Sequence, residues 1–234
     1  MISDIFAVGD PHGCLNKLNE LLTHWNPDKQ QLVILGDLID RGKDSFGVIK
    51  LAMKLQKEYG AVILGGNHED LFLDWIDNPT EEPLFYFNQG GRETIRSFFD
   101  DQNYADLFLP DTLAKMMNDH FSDEILFIRN LPNYFEAGNN VFVHAGVNLY
   151  RKDWRTSSRQ DFRWIREVFH TANNETGKTF IFGHTITATL NADQSCGIWM
   201  SDCQTKIGID GGAVFGGYLL GLLITDVGYE VYAA

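Results

Sequence analysis

Short apolar runs recur along the chain, and five of them stop abruptly at small residues beside Asp, Asn or His. Ile5-Phe6-Ala7-Val8 runs into Gly9-Asp10-Pro11-His12-Gly13, and Leu32-Val33-Ile34-Leu35 into Gly36-Asp37-Leu38-Ile39-Asp40-Arg41-Gly42. Val62-Ile63-Leu64 leads to Gly65-Gly66-Asn67-His68-Glu69, Val141-Phe142-Val143 to His144-Ala145-Gly146, and Phe180-Ile181-Phe182 to Gly183-His184-Thr185. Runs of this length bounded by turn residues predict buried strands, and in layered α/β folds the loops beyond strand ends carry the chemistry. Between the first strands the period changes to that of a helix. Leu15, Leu18, Leu21, Leu22 and Trp25 share one face before Asn26-Pro27. A second helix is predicted from about Ser45 to Tyr59, with Asp44 or Ser45 as its cap. The third strand passes through Asn67-His68-Glu69-Asp70 into a helix over Leu71–Ile76, whose early acidic residues suit an N-terminus and which Pro79 stops.

From about 80 to 129 the pattern becomes a series of aromatic-rich helices, expected as a cap-like insertion that shapes a substrate pocket. Strand-like runs return after Leu131, with Tyr134-Phe135-Glu136 and Val141–His144 flanking a hairpin turn at Gly138-Asn139-Asn140. Further strands are expected over 179–183, 198–201, 206–209, 218–225 and 229–233. That is more strand than one parallel sheet needs. The fold expected is layered α/β: two packed mixed sheets, a β-sandwich, flanked by helices, as one domain over residues 1–234.

Composition narrows the function classes. The formal charge of −13 argues against a non-specific nucleic-acid surface and gives no support for docking on anionic membranes. The first residues, Met1 to Ile5, show no basic or long apolar leader, and Tyr218–Ile224 is too short to span a bilayer. Cys14, Cys196 and Cys203 are too few and too scattered for a disulfide framework, so a reducing cytoplasm is expected. His24, His120 and His170 stand outside the recurring contexts and read as surface or packing residues.

The chemistry concentrates where the strands stop. Asp37, Asp40 and Arg41 crowd two carboxylates and one guanidinium into a glycine-bounded turn beside a core, and such a cluster needs further counter-charge. If the strand ends converge on one edge, Asp10, His12, Asp37, Asn67, His144 and His184 converge with them. Oxygen and imidazole donors in that number suit two adjacent divalent ions of the manganese, iron or zinc kind.

Taken together and in order, GDPHGC, GDLIDRG, GNHE, HAG and FGHT resemble the phosphoprotein phosphatase branch of the calcineurin-like metallophosphoesterases, especially the small bacterial and phage-type serine/threonine phosphatases. Gly90-Gly91-Arg92-Glu93-Thr94 and Ile209-Asp210-Gly211-Gly212-Ala213 are similar to stretches in the same enzymes. The resemblance implies a dinuclear centre, with manganese the first expectation. Asp10, His12 and Asp37 would bind one ion, and Asp37, Asn67, His144 and His184 the other, so that Asp37 bridges. His68 matches a general acid oriented by Asp40, and Arg41 a phosphate-binding arginine. A second such arginine is expected in Phe162-Arg163-Trp164-Ile165-Arg166-Glu167, where the register selects Arg166 and Arg163 competes. Pro11 and Gly211 depart from the commoner residues without removing a ligand.

The reaction implied is direct attack of metal-activated water on a phosphomonoester, releasing inorganic phosphate from phosphoserine or phosphothreonine, with phosphotyrosine as a further substrate, in a protein or peptide. A second reading is a dinucleoside tetraphosphatase or another nucleotide phosphohydrolase. The symmetric enzymes of that type usually carry Ala where this chain has Asp40, and Asp where it has Glu69. A third is an inactive metal-binding interaction module, against which the retention of every ligand and of His68 argues.

Overall fold

The computed structural model describes residues 4–234; Met1–Ser3, part of the leader reading, lie outside them. Among the described residues the strands are β1 (Asp4–Val8), β2 (Gln30–Ile34), β3 (Val62–Ile63), β4 (Tyr134–Ala137), β5 (Asn140–Val143), β6 (Thr179–Phe182), β7 (Trp199–Met200), β8 (Lys206–Gly208), β9 (Leu220–Thr225) and β10 (Gly228–Ala233). They form two five-stranded sheets, ordered β10-β9-β1-β2-β3 and β4-β5-β6-β8-β7. Both are mixed. Strands β1, β2 and β3 run parallel, as do β5, β6 and β8, while the remaining pairings are antiparallel.

The apolar runs are nearly continuous because their strands are buried on both faces. In β1, Ile5 and Ala7 point into the layer between the sheets, against Phe142, Ile181 and Ile207 of the other sheet. Phe6 and Val8 point outward, beneath a helical layer that includes Leu18, Leu21, Val48 and Ile49. The second sheet repeats this, with Val141, Val143, Phe180 and Phe182 packed under Trp154, Phe162 and Phe169.

The helices are α1 (Leu15–Leu22), α2 (Ser45–Tyr59), α3 (Asn67–Asp77), α4 (Pro83–Tyr86), α5 (Arg92–Phe99), α6 (Tyr104–Leu107), α7 (Pro110–His120), α8 (Ser122–Arg129), α9 (Arg159–Trp164) and α10 (Glu167–Thr171). Asp44 caps α2 by accepting from the Gly47 amide. The third helix begins at Asn67, earlier than the apolar period indicates, because Glu69 reaches back to accept the Gly66 amide, the half of a capping box that a glycine N-cap allows. That start places Asn67 and His68 in the first helical turn. Helices α4 to α8 fill the aromatic segment, and their rings pack on the outer faces of α2 and α3: Phe98 lies 5.0 Å from both Phe46 and Phe121, and Tyr86 stacks on Trp75 at 5.4 Å.

One buried cation fixes the second helical face. Lys206 of β8 is 1% exposed, and its ammonium donates to the carbonyls of Phe169 at 2.7 Å, His170 at 3.1 Å and Ala172, closing the C-terminal end of α10. Burial lowers its pKa. Replacing Lys206 with Met removes three charge-assisted bonds and strands their acceptors. The expected cost is about 3 kcal/mol, which in a chain of this size lowers Tm by roughly 6–12 °C. A thermal melt that shifts by less than about 2 °C would contradict this assignment.

Candidate metal centre

Five loops meet at the edge where the parallel strands end. Asp10 and His12 follow β1, Asp37 to Arg41 follow β2, Asn67 and His68 open α3 after β3, His144 follows β5 and His184 follows β6. The backbone is unusual there: His12, Asp37, Asp40, Arg41 and His184 all have positive φ, between 40° and 70°. Such conformations are costly for residues with a Cβ and persist where the surroundings over-determine them. The loops also interpenetrate. A Cβ on Gly66 would overlap the Asp37 carboxylate, and one on Gly183 would overlap that of Asp10.

Asp37 lies at the centre. Its carboxylate stands 3.3 Å from His12 Nε2 and 3.4 Å from His144 Nε2, and accepts from the His68 amide at 3.0 Å. Two donor groups share it: His12, Asp37 and His68 form one, and Asp37, His144 and His184 the other, with ligand atoms within 4.8 Å of one another in each. Asn67 Oδ1 joins the second group, 3.0 Å from His144 Nε2 and 2.8 Å from His184 Nδ1. Asp10 Oδ2 accepts from the His184 amide at 2.7 Å, whereas its buried Oδ1 has no hydrogen-bond partner.

The electrostatics favour bound cations. Burial, reinforced by Asp210 and Asp37, raises the Asp10 pKa well above the carboxylate range. Burial also acts upward on Asp37, but the imidazoles of His144, His68 and His12 outweigh it and hold Asp37 well below the usual value. Burial lowers His144 to about 4 and His184 to about 2, so both rings are neutral near pH 7 with a lone pair to give. His12 and His144 each donate Nδ1–H to a backbone carbonyl, of Ile39 at 2.8 Å and Leu35 at 3.0 Å, which turns Nε2 inward. A buried orphan carboxylate oxygen, neutral imidazoles and an amide oxygen around a shared aspartate fit divalent ions of borderline softness.

The remaining groups divide sharply. His68 donates Nδ1–H to Asp40 at 2.7 Å, and Asp40, fully buried, also accepts from Thr94 Oγ1 at 2.6 Å and Tyr86 OH at 3.0 Å. Arg41 donates to His12 Nε2 at 2.8 Å, with its guanidinium 5.2 Å from the Phe215 ring centre. Arg166 is an exposed residue whose guanidinium donates to the His184 carbonyl and Thr185 Oγ1, both at 3.0 Å; partial desolvation lowers its pKa against the opposing pull of Asp37, Asp10 and Asp210. Arg163 is only 1% exposed and is committed elsewhere, to Asp70 at 2.6 Å, Asn133 and the Leu131 carbonyl. Of the two arginines, Arg166 faces the site.

Several supporting residues escape sequence reasoning. Glu69 accepts from the amides of Asp37, Leu38 and Gly66 at 2.9, 2.8 and 2.7 Å, tying the loop after β2 to the start of α3. Burial, with Asp37 adding to it, raises its pKa to about 7. The sequence marked it as the last residue of GNHE and as an early acidic residue of the third helix, but not as the acceptor of these amides. Asp210, buried and bonded to the Gly212 amide at 3.0 Å, was legible only as part of a motif. Tyr86 carried no signal and Thr94 only its place in the Gly90–Thr94 stretch, since nothing local ties a helix to a carboxylate 46 or 54 residues away.

Residues 4–207 match the sequence pattern of the calcineurin-like phosphoesterases. The chain belongs to that family. It is 44% identical to the asymmetrical bis(5′-nucleosyl)-tetraphosphatase of Oceanobacillus iheyensis over 82% of this chain and 84% of that one. It is 29% identical to serine/threonine-protein phosphatase 1 of Salmonella typhimurium over 92% and 89%. The fold is shared with a cold-active protein-tyrosine phosphatase of Shewanella, at a TM-score of 0.64 and 17% identity, covering 100% of this chain and 80% of that one. This phosphoesterase is therefore a metal-dependent hydrolase of phosphate esters, and the two packed sheets are those of its family.

Two outcomes test the centre. Asp37→Asn removes the one carboxylate common to both donor groups, so elemental analysis should find less metal per chain, and added manganese should raise Tm less than in the parent protein. Unchanged metal content would refute the shared role. Arg166→Ala should weaken inhibition by inorganic phosphate with little effect on Tm, whereas Arg163→Ala should lower Tm with a smaller effect on phosphate; the reverse pattern would exchange their roles.

Proposed function

We propose that this phosphoesterase is a phosphomonoesterase acting on phosphoserine and phosphothreonine, with phosphotyrosine as a further substrate, in proteins or peptides of a reducing, cytoplasmic compartment. The observation that carries the reading is the buried His68–Asp40 pair. A carboxylate held by Thr94 and Tyr86 fixes the imidazole so that its far nitrogen faces the donor cluster. Such an acid serves a basic leaving oxygen, the alkoxide of serine or threonine, and is superfluous for an anhydride whose leaving group departs as a stable anion.

Asp10, His12, Asp37, Asn67, His144 and His184 would hold two divalent ions, with manganese our first choice. Bound there, the ions supply Lewis-acid stabilisation of phosphoryl oxygens and lower the pKa of water. The chain's own groups do the rest. Arg41 and Arg166 bind non-bridging phosphoryl oxygens and fix the phosphorus between them, where charge redistributes as the ester bond breaks. His68 passes its proton to the departing oxygen, while Asp40 keeps the ring oriented. The three free cysteines suit a reducing compartment, and among the described residues no helix is long and apolar enough to cross a membrane.

A second reading, hydrolysis of dinucleoside tetraphosphates, is favoured by the 44% identity to the Oceanobacillus enzyme over most of both chains. Metal-stripped protein reloaded with manganese, zinc, iron or magnesium and given an aryl phosphate, phosphopeptides and a dinucleoside tetraphosphate separates the two. A strong preference for the tetraphosphate would displace the phosphomonoester reading. His68→Asn should slow a seryl phosphate by roughly 10²–10⁴-fold and a nitrophenyl phosphate far less, with metal content unchanged. Equal losses on the two esters would remove His68 from the acid role.

A further inference from the structure

The stripe of α3 that starts at the candidate metal centre leads into a cavity that the proposed function does not use. Asn67, Leu71, Asp74 and Trp75 stand at i, i+4, i+7 and i+8, on one face of the helix. Leu71, Asp74 and Trp75 wall a cavity of about 580 Å³, closed on its other side by Glu81, Glu82, Phe85 and Tyr86. A neighbouring hollow shares Leu71, Asp74 and Phe85 with it and reaches back to Trp164, whose ring lies 6.4 Å from that of His184. Together they form a groove running outward from the centre. The cavity wall carries three carboxylates, Asp74, Glu81 and Glu82, and no cation. Nearby ion pairs join Asp70 to Arg159 and Arg163, and Asp77 to Arg129, but none among the described residues reaches those three. A second, independent feature marks room for a ligand. Trp75 is 3% exposed, yet its indole N–H has no hydrogen-bond partner, so the wall holds a buried donor without an acceptor. The ring of Trp75 stacks on Tyr86 at 5.4 Å, and Phe85 is left exposed at the rim. Carboxylates beside aromatic rings suit an alkylammonium or guanidinium group, drawn in by charge and by cation–π attraction, and an indole donor suits a peptide carbonyl.

We propose that this cavity receives an arginine or lysine side chain of the phosphopeptide substrate, a few residues away from the phosphorylated serine or threonine. The spacing follows from the helix. Asp74 and Trp75 lie seven and eight residues beyond Asn67 on α3, which is about 10–12 Å along the axis at a rise of about 1.5 Å per residue. An extended peptide covers that distance in about three or four residues. With the phosphoryl group at the centre, the intervening residues pass over Leu71, and the basic side chain ends among Asp74, Glu81 and Glu82 beside the Trp75 and Tyr86 rings. The groove thus adds a choice of peptide sequence to a centre whose own groups hold only the phosphoryl group. This inference rests on the phosphomonoester reading above.

Phosphoserine peptides of alanine and glycine, each with one arginine moved stepwise along either side of the phosphoserine, test this on the manganese-loaded protein. On one side, an arginine about three or four residues away should raise kcat/KM about fivefold over the arginine-free peptide, mainly through KM. Citrulline, which keeps the shape without the charge, should give no gain at that position. Asp74→Asn and Glu82→Gln should each reduce the gain to less than about twofold, leaving the arginine-free peptide and nitrophenyl phosphate at the parent rates. Glu175→Gln, the same charge change on an exposed loop beyond α10, should keep the gain. If Glu175→Gln lowers it as much as Asp74→Asn does, the preference belongs to the overall acidity of the chain and the cavity is refuted. Turnover of the arginine-free peptide with no arginine preference at any position would also refute the cavity, while the phosphomonoester reading holds. Should spermidine then raise the Tm of the parent protein but not of Asp74→Asn, the cavity would belong to a free polyamine instead of a peptide. No turnover of any peptide, alongside hydrolysis of a dinucleoside tetraphosphate, would refute the phosphomonoester reading and the peptide groove with it.

Discussion

The structure depends on holding several carboxylates in a water-poor junction between two sheets. Asp10, Asp37, Glu69 and Asp210 are all buried there, and desolvation pushes upward on each of them. Three devices keep the cluster together. Imidazoles surround Asp37, backbone amides converge on Glu69, and the guanidinium groups of Arg41 and Arg166 lie at its margin. The donor set and the charge excess occupy the same place, where bound divalent ions would complete the balance.

Glu69 links the candidate metal ligands to the scaffold. By accepting three amides it joins the turn that carries Asp37 to the helix that carries Asn67 and His68, so one side chain sets the relative placement of residues about 30 positions apart. The missing Cβ atoms of Gly66 and Gly183 let the carboxylates of Asp37 and Asp10 lie directly on neighbouring backbone. A larger residue at either position would displace a candidate ligand. The positive-φ residues around them are held by the same contacts, which is how a strained arrangement persists in the folded chain.

Further support comes from the aromatic helices. Tyr86 and Thr94 bind Asp40, and the Gly90 carbonyl accepts from the Arg41 amide at 3.2 Å. The segment between α3 and β4 thus reaches the candidate site through the Asp40 carboxylate and the Arg41 backbone, while most of its rings pack on α2 and α3. Arg163 and Lys206 perform comparable work on the other sheet, each anchoring a helix end or loop through a fully buried cation with several oxygen acceptors.

Much of this was legible because it is local. Apolar runs such as Ile5–Val8 and Phe180–Phe182 mark strands buried on both faces, and the small residues and donors directly after them mark the loops that hold the candidate ligands. Spacing alone therefore placed Asp10, His12, Asp37, Asn67, His144 and His184 at strand ends, and the ordered motifs pointed to the family. What the sequence could not decide depends on atoms brought together from distant positions. The choice of Arg166 over Arg163 turned on which side chain the short turn after α9 aims at His184 and which is consumed by Asp70 and Leu131. The binding of Tyr86 and Thr94 to Asp40, and the acidic cavity between α3 and α4, likewise exist only once the layers are packed. Hydrophobic period and local turn chemistry are written in neighbouring residues, whereas the partners of a buried charge are set by three-dimensional proximity, and that is decided by tertiary structure.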